Sequence, residues 1–173
     1  MLELKRLSVD DGLDIYTMLQ EIPAEENGLI NKANGLTFDE YKEWLIVKQR
    51  DSEQEGIVDG WKVPSTTFWL YADGIPVGFG SVRHFLTEAL RKAGGNIGYG
   101  IAPAFRGKGY GKALLKKLAS IAIERGCGRL EWWCLDWNQP SIDFYLSLGA
   151  QAMDEWTVYR ITGKTLLEMA SNA

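Results

Sequence analysis

The segment Arg106-Gly107-Lys108-Gly109-Tyr110-Gly111 lies between a predicted strand, residues 96–102, and the strongest predicted helix of the chain, residues 109–125. Glycines in such a turn let the backbone come close to a ligand, and the first N–H groups of the helix point outward at the positive end of its dipole. This combination binds a phosphate or a pyrophosphate. Positive side chains stand where the anion would bind, at Arg106, Lys108 and Lys112. The alternative interpretation is an ordinary helix start with solvated lysines.

Two better-known phosphate-binding motifs do not fit this segment. The phosphate loop of NTPases requires Ser or Thr after Gly-Lys, but Ala113 follows here, and Arg106 stands where the first glycine of that loop is required. The dinucleotide fingerprint requires two residues between its second and third glycines, whereas Gly107, Gly109 and Gly111 are evenly spaced. Neither nucleotide-binding fold is therefore indicated.

Length, charge and residue usage narrow the classes of protein to consider. The 173 residues are 46% hydrophobic and carry a net charge of −4, which suits one globular domain and gives no general attraction to nucleic acid. No run of about 18 apolar residues could span a membrane, so we expect a cytoplasmic protein. His84 is the single histidine, and no cluster of residues has the spacing of metal ligands, so we expect no metal.

The pattern of the remaining chain predicts a mixed α/β sheet. A capping box at residues 8–11 predicts a first helix that runs to Glu21, a second capping box predicts another helix after Thr37, and residues 24–36 between them indicate a loop. Asp73-Gly74 predicts a tight turn between two strands of a hairpin. Gly78 and Gly80 predict a bulge or a close approach of two backbones. The predicted strands are residues 2–7, 66–71, 75–85, 96–102, 130–135 and 156–161, and a short helix is predicted at 141–148.

Arg106, Gly109 and Gly111 also satisfy Arg/Gln-x-x-Gly-x-Gly/Ala, the pyrophosphate-binding motif of the GNAT acyltransferases, and the chain resembles that family over residues 67–161. Within this range, Asp136-Trp137-Asn138-Gln139-Pro140-Ser141 is particularly similar to the diamine (spermidine/spermine) acetyltransferases. The resemblance implies the GNAT fold, with a mostly antiparallel central sheet and flanking helices. It implies one domain, 1–173, with acceptor-side elements in 1–60, an acetyl-CoA-binding core in 66–161 and a tail in 163–173.

The resemblance implies acetyl-CoA as the acyl donor. Strands 96–102 and 130–135 would splay apart around the pantetheine arm, whose amides would pair with backbone groups of Ile101 and Ala102. Asn138 would contact CoA, although it also fits an N-cap of the short helix that Ser141 completes. The pyrophosphate would bind the glycine-rich turn, at Arg106, Gly107, Lys108, Gly109, Tyr110, Gly111 and Lys112.

Tyr145 occupies the position where this family often has its general acid, near the CoA sulfur. A phenol with a solution pKa of about 10 can give a proton to a thiolate leaving group at neutral pH. The alternative is a tyrosine that packs in the core beside Phe144.

The sequence does not identify the general base. Many relatives carry a glutamate in the central strand, but residues 97–102 contain no acid. The candidates are Glu25, Glu26, His84 or an ordered water.

Acidic residues of the first two helices and their loop suit a cationic amine, although a charge run is also typical of a solvated face. Tryptophans could wall the same pocket through cation–π contacts or could belong to the core. The acidic residues are Glu21, Glu25, Glu26, Asp39, Glu40 and Glu43, and the tryptophans are Trp61, Trp69, Trp132, Trp133 and Trp137.

The implied function is transfer of an acetyl group from acetyl-CoA to the primary amine of a small molecule, such as a polyamine, by direct attack in a ternary complex. Other possibilities are an acetyl-CoA sensor with little turnover, a longer acyl donor, a peptide or protein amine as acceptor, and an interaction domain that binds no cofactor. The resemblance also makes a homodimer one option.

Overall fold

The structure is a computed structural model that describes residues 1–58, 62–88, 90, 97–124, 126, 130, 132 and 134–154. It divides into two compact units, Met1–Asn138 and Gln139–Ala173. The predicted strand at 156–161 and the tail at 163–173 lie outside the described residues. The first unit contains β1 (Leu2–Arg6), α1 (Leu13–Glu21), β2 (Glu25–Glu26), β3 (Leu29–Ile30), α2 (Phe38–Glu53), β4 (Ser65–Ala72), β5 (Ile75–Arg83), β6 (Ile97–Ile101), a 3-10 turn (Pro103–Phe105) and α3 (Tyr110–Glu124), and the second contains α4 (Gln139–Ser147).

The first unit is built on a four-stranded antiparallel sheet in the order β1-β4-β5-β6. β4 and β5 form the predicted hairpin, joined at Asp73 and Gly74, whose φ angles are 50° and 82°. Two successive positive φ angles are what a type I′ turn requires, and its twist matches that of the flanking strands. The Asp-Gly pair therefore predicted this turn correctly, and the mixed α/β class with a mostly antiparallel sheet is confirmed.

Of the two glycines of β5 that predicted a bulge or a close approach of two backbones, Gly78 marks the place where this occurs. The β4–β5 register shifts between Leu70 and Tyr71, next to Gly78. A Cβ on Gly78 would lie 2.5 Å from the carbonyl oxygen of Gly100 in β6, whereas a Cβ on Gly80 would have its nearest neighbours at 3.5 Å. Glycine is therefore required at position 78, where a side chain would collide with β6, but not at position 80.

α2 begins at the predicted capping box. The backbone N–H of Glu40 donates to the Thr37 hydroxyl at 3.3 Å, and the backbone N–H of Thr37 donates to the Glu40 carboxylate at 2.8 Å. Each bond satisfies a backbone donor that the first turn of a helix leaves open. The bonds from Thr37 also hold the pKa of Glu40 below its usual value.

α1 begins at Leu13 after an N-cap at Gly12, not after Ser8, so the prediction that residues 8–11 cap this helix was wrong. The Asp11 carboxylate accepts from the backbone N–H of Ser8 at 2.8 Å and from the indole Nε1 of Trp69 at 2.6 Å. These bonds anchor a turn on β4 instead of capping a helix. The end of α1 at Glu21 agrees with the prediction.

Residues 25–30 form a short hairpin inside the segment that was predicted as a loop. β2 and β3 pair across Asn27 and Gly28, whose φ angles of 52° and 82° again fit a type I′ turn. The Asn31 side chain fastens the hairpin to α1 by donating to the carbonyls of Leu19 and Ile22, both at 2.8 Å. The prediction of an irregular loop was therefore wrong at these residues.

The core lies between the sheet and the two helices α1 and α2. Trp69 of β4 is completely buried and contacts Trp44 of α2, with ring centroids 6.5 Å apart. Each fully buried Leu or Ile side chain contributes roughly 1.5–3 kcal/mol to folding. The buried apolar residues of this cluster are Leu7, Ile15, Met18, Leu19, Ile22, Ala33, Tyr41, Leu45, Trp69, Tyr71 and Ala102.

The buried strand predicted at residues 130–135 is not found at the positions that the structure describes. Leu130, Trp132, Cys134 and Leu135 have no strand assignment, and the side chains of Trp132 and Leu135 are exposed. The other two residues of this segment, 131 and 133, lie outside the described set. The run of apolar residues was therefore not sufficient to predict a strand, because a strand also needs a neighbouring strand with which its backbone can form hydrogen bonds.

Candidate functional site

The glycine-rich turn has the geometry that its sequence predicts. Gly107 and Gly109 adopt φ angles of 73° and 83°, and a Cβ at either position would meet no atom within 4 Å. The backbone N–H of Ala113 donates to the carbonyl of Gly109 at 3.0 Å, so α3 starts directly from the turn. Since the first N–H groups of a helix lack partners within the helix, this end can accept an anion against a backbone without side chains in the way.

Arg106 connects three parts of the first unit. Its Nε donates to the carbonyl of Ile101 at 3.0 Å, and its two terminal nitrogens donate to the two carboxylate oxygens of Glu26 at 3.0 and 2.5 Å. The guanidinium therefore ties the turn to the end of β6 and to the β2–β3 hairpin. No local sequence signal predicts this pair, because the two residues are 80 positions apart.

The other basic residues of the turn are exposed. Lys108 lies with its Nζ 4.8 Å from the ring centroid of Phe105, and Lys112 lies in the first turn of α3. Tyr110 is half-buried and packs on Phe105, with ring centroids 6.5 Å apart. The structure thus gathers the predicted pyrophosphate-binding residues around one helix end.

The edge of β6 that faces away from β5 leads to this turn. Ala102 donates its N–H to the carbonyl of Val77 at 2.9 Å, and its own carbonyl accepts from Phe105, so both of its backbone groups are used within the protein. Because hydrogen-bonding directions alternate along an antiparallel strand, the backbone groups of Ile97, Tyr99 and Ile101 point to the opposite edge. Within the described residues β6 is the last strand on this side of the sheet. Of the two predicted pantetheine-binding positions, Ile101 is therefore the one that faces the edge.

The β2–β3 hairpin covers one face of β6. A Cβ on Gly100 would lie 2.5 Å from Cδ2 of Leu29, and a Cβ on Gly98 would lie 3.6 Å from Cδ1 of the same leucine. These two glycines give β6 a flat face on which Leu29 lies. The hairpin is consequently held by both of its strands, by Leu29 of β3 on β6 and by Glu26 of β2 on Arg106.

The remaining predicted CoA-contacting residues are Asn138, the last residue of the first unit, and Ser141 in the second. Asn138 is buried, directly precedes α4, and donates its backbone N–H to the carbonyl of Leu135 at 2.9 Å. Ser141 lies in the first turn of α4 and is half-buried. Asn138 directly precedes the short helix, as predicted, although this helix begins at Gln139 and not at Ser141.

Tyr145, the predicted general acid, belongs to α4. It is half-buried, and its ring packs on Phe144 with centroids 5.3 Å apart. Its backbone carbonyl accepts from Leu148 and from Ala150, which closes the helix. The role of its hydroxyl stays a prediction.

The candidate bases have different environments. Both carboxylate oxygens of Glu26 are bound to Arg106, whereas Glu25 is exposed at the start of β2. His84 is exposed just after β5, and its Nε2 lies 2.8 Å from the hydroxyl of Thr66. Glu26 is therefore engaged in an ion pair rather than open to a substrate.

The predicted acidic and aromatic acceptor residues that the structure describes have different environments. Trp69 belongs to the core, while Trp132 and Trp137 are 38% and 68% exposed, and Trp61 and Trp133 lie outside the described residues. Glu40 caps α2 and Glu26 binds Arg106, so both have structural partners. The other acidic candidates, Glu21, Glu25, Asp39 and Glu43, are exposed.

Two negative findings apply to the described part of the chain. Its His, Cys, Asp and Glu side chains form no group of three that could hold a metal ion. None of its helices has the length and apolar character needed to cross a bilayer.

The sequence model described as the Acetyltransferase (GNAT) family matches residues 33–150. Over 73 residues the chain is 38% identical to the thialysine N-epsilon-acetyltransferase of Bos taurus, covering 40% of this chain and 43% of that protein. Over 62 residues it is 47% identical to the L-ornithine N5-acetyltransferase NATA1 of Arabidopsis thaliana, covering 36% of this chain and 27% of that protein. The chain thus matches less than half the length of these curated relatives.

A solved structure is similar over almost the whole chain. It is an integron cassette protein from the mobile metagenome of V. cholerae, with 26% identity and a TM-score of 0.58, and the match covers 98% of this chain and 97% of that one. The family match contains the β6 edge, the glycine-rich turn and Asn138 in one continuous range. The chain therefore belongs to the GNAT acetyltransferase family.

Proposed function

We propose that this chain is an N-acetyltransferase that transfers the acetyl group of acetyl-CoA to the primary amine of a small molecule. The observation that carries the proposal is the edge of β6, which points away from β5 and runs into a glycine-rich turn at the start of α3. A strand edge pairs with the amides of an extended chain, and a helix start binds a pyrophosphate. Pantetheine pyrophosphate contains both groups in this order.

The donor would be bound mainly by the backbone. The pyrophosphate would lie against Gly107, Gly109 and the first N–H groups of α3, with Lys108 and Lys112 supplying charge. The pantetheine amides would pair along β6, where Ile101 faces the edge. Asn138 is the side chain that we expect to contact CoA near the start of α4.

The acceptor must react as the neutral amine, because a protonated amine has no lone pair. The lone pair of the neutral amine attacks the thioester carbonyl carbon, the new C–N bond forms, and the C–S bond breaks to give an amide and a thiolate. The amine then loses its second proton to a base, and the thiolate takes up a proton to leave as CoA. We assign the donation of that last proton to Tyr145, and we leave the base to Glu25, His84 or an ordered water because Glu26 is bound to Arg106.

The named relatives support an amine acceptor of small size. They act, by their names, on thialysine and L-ornithine, and another relative is a spermidine/spermine N(1)-acetyltransferase-like protein of Homo sapiens, 36% identical over 73 residues. Each of these names describes a flexible molecule with a primary amine. A cytoplasmic location and a homodimer remain predictions from the sequence, which fractionation and sedimentation would test.

The first experiment is calorimetric titration of the purified protein with acetyl-CoA, with the Gly109→Trp variant in parallel. The indole would fill the open space above the turn, so we expect micromolar binding that the variant loses. Release of CoA thiol with a panel of amines then tests catalysis. Binding without thiol release across the panel would support a sensor, and absence of binding would contradict the proposal.

A further inference from the structure

β1 is an exposed edge strand of the four-stranded sheet. It stands at one end of the order β1-β4-β5-β6, and among the residues that the structure describes it pairs with β4 alone. All of its residues are exposed, including Leu2 and Leu4, whose exposed fractions are 41% and 43%. A strand edge with exposed leucines can pair with a further strand. Because β6 stands at the other end of the order, such pairing would leave the proposed donor site open.

The hydrogen bonds to β4 show which backbone groups of β1 point to the open side. The backbone N–H of Leu7 donates to the carbonyl of Thr67 at 2.9 Å, which continues the pairing of β1 with β4 by one residue. Hydrogen-bonding directions alternate along an antiparallel pair, so the odd-numbered residues of β1 face β4. The backbone groups of Leu2, Leu4 and Arg6 therefore point away from β4.

The charged side chains of β1 alternate with its leucines. Glu3 and Lys5 pair with Tyr71 and Trp69 of β4, so they lie on the same face of the sheet. The Lys5 Nζ lies 3.6 Å from the Glu3 carboxylate and 4.2 Å from the ring centroid of Tyr71. A second β1 that ran antiparallel to the first, centred on Leu4, would bring Glu3 of each copy opposite Lys5 of the other. Opposite charges at such cross-strand positions attract.

We propose that two copies of this chain pair antiparallel through β1, about a two-fold axis that passes through Leu4. The backbone groups of Leu4 then meet those of Leu4 in the other copy, and those of Leu2 meet those of Arg6, which allows about six hydrogen bonds. The pairing joins two four-stranded sheets into one continuous sheet and covers the exposed leucines. This interface does not depend on the proposed acyltransferase activity.

Charge favours this register over its neighbours. The outward backbone groups could also meet in antiparallel registers centred on Glu3 or on Lys5. The first would bring two glutamates opposite each other and the second two lysines, and like charges in direct opposition are destabilising. The register centred on Leu4 replaces both repulsions by attractive pairs. A lysine on an edge strand commonly hinders pairing with other chains, but Lys5 gains a carboxylate in this arrangement.

Sedimentation equilibrium of the purified chain tests the pairing. An interface of two short strands is small, so we expect a dimer with a Kd on the order of 10 μM. Glu3→Lys brings lysines opposite each other at two places and should weaken the dimer about tenfold or more. The double variant Glu3→Lys with Lys5→Glu exchanges the two charges, so it restores both attractive pairs and should dimerise like wild type. Glu43→Lys, the same charge reversal at an exposed position of α2, is the matched control and should keep the Kd.

Leu4→Lys tests the centre of the interface, because it brings two positive charges together at the two-fold axis and should also weaken the dimer. Far-UV circular dichroism checks that each variant keeps its secondary structure, which substitutions of exposed side chains should preserve. A wild-type monomer up to about 500 μM would overturn the proposal. So would a dimer whose Kd is unchanged in both Glu3→Lys and Leu4→Lys. A double variant that dimerises as weakly as Glu3→Lys would contradict the register centred on Leu4.

Discussion

The guanidinium of Arg106 donates to both carboxylate oxygens of Glu26, so the turn that precedes α3 and the hairpin between α1 and α2 share one ion pair. The same guanidinium also donates to the carbonyl of Ile101 at the end of β6. The β2–β3 hairpin and the distant stretch from the end of β6 to the turn are therefore fixed relative to each other next to the proposed pyrophosphate site. A substitution of either charged residue should therefore change the affinity of this site for acetyl-CoA.

Glu26→Gln tests this link. The two side chains are 42% and 32% exposed, and such surface pairs contribute less than about 1 kcal/mol, so we expect only a small loss of unfolding free energy. Removal of a negative charge beside a pyrophosphate site should tighten acetyl-CoA binding by about twofold to fivefold. Calorimetry measures the affinity, and Glu43→Gln removes the same charge from an exposed position of α2. Weaker binding in Glu26→Gln would mean that the ion pair prepares the site rather than competes with its ligand.

Gly109→Ala, compared with Gly74→Ala, distinguishes an effect on backbone strain from an effect on acetyl-CoA binding. At φ 83° an alanine is strained by about 1–2 kcal/mol although its Cβ has open space. Gly74→Ala is a matched control, since Gly74 has a φ of 82° and also has open space around a Cβ. Denaturant unfolding should show similar losses of stability for both variants. Only Gly109→Ala should also weaken acetyl-CoA binding, and equal affinities would remove Gly109 from the proposed site.

Gly78→Ala and Gly80→Ala test the close approach of β5 and β6. The new Cβ at Gly78 would overlap the Gly100 carbonyl, a backbone atom that cannot move away easily, so we expect a loss of about 2–3 kcal/mol. At Gly80 the nearest atoms would be at ordinary contact distance, and any loss should stay below about 1 kcal/mol. Thermal or urea unfolding of the two variants measures the difference. Similar losses for the two variants would contradict the conclusion that only Gly78 lies too close to β6 for a side chain.

Local signals were sufficient where the backbone conformation itself depends on residue type. The Asp73-Gly74 turn, the capping box of Thr37 and Glu40, and the turn at Gly109 were all predicted, because positive φ angles and open helix donors favour particular residues. The turn at Asn27-Gly28 had the same signal. Its strands are only two residues long, too short for an alternating pattern to appear.

Contacts between distant segments decided the features that the sequence could not predict. The Asp11 side chain binds the indole of Trp69, 58 positions away, and this bond replaces the helix cap that Ser8 and Asp11 suggested. The pair of Glu26 and Arg106 depends on the fold of β2 and β3 in the same way. Charge and spacing alone therefore made Glu26 a candidate base, whereas the structure gives it a cationic partner.

Tyr71 provides a test of pH dependence. Burial, and then the charges of Asp14 and Asp11, raise its pKa to about 12 from the ordinary value of 10.0. The neutral phenol therefore stabilises the folded state fully below pH 10, and this contribution is lost as the pH rises from about 10 to 12. Urea unfolding between pH 9 and 12 should show a steeper loss for wild type than for Tyr71→Phe. Parallel curves for the two proteins would contradict a raised pKa of Tyr71.

Tyr145→Phe tests the assigned proton donor. The variant removes the hydroxyl and keeps the ring that packs on Phe144, so α4 and the affinity for acetyl-CoA should change little. Loss of a general acid lowers turnover by about 10²-fold or more, and we expect the decrease in kcat while the calorimetric Kd for acetyl-CoA stays the same. Tyr71→Phe, which removes a hydroxyl from the core of the first unit, is the control and should keep its kcat at neutral pH. Full turnover in Tyr145→Phe would exclude this phenol as the acid, and parallel losses of turnover and of CoA affinity would indicate a packing role instead.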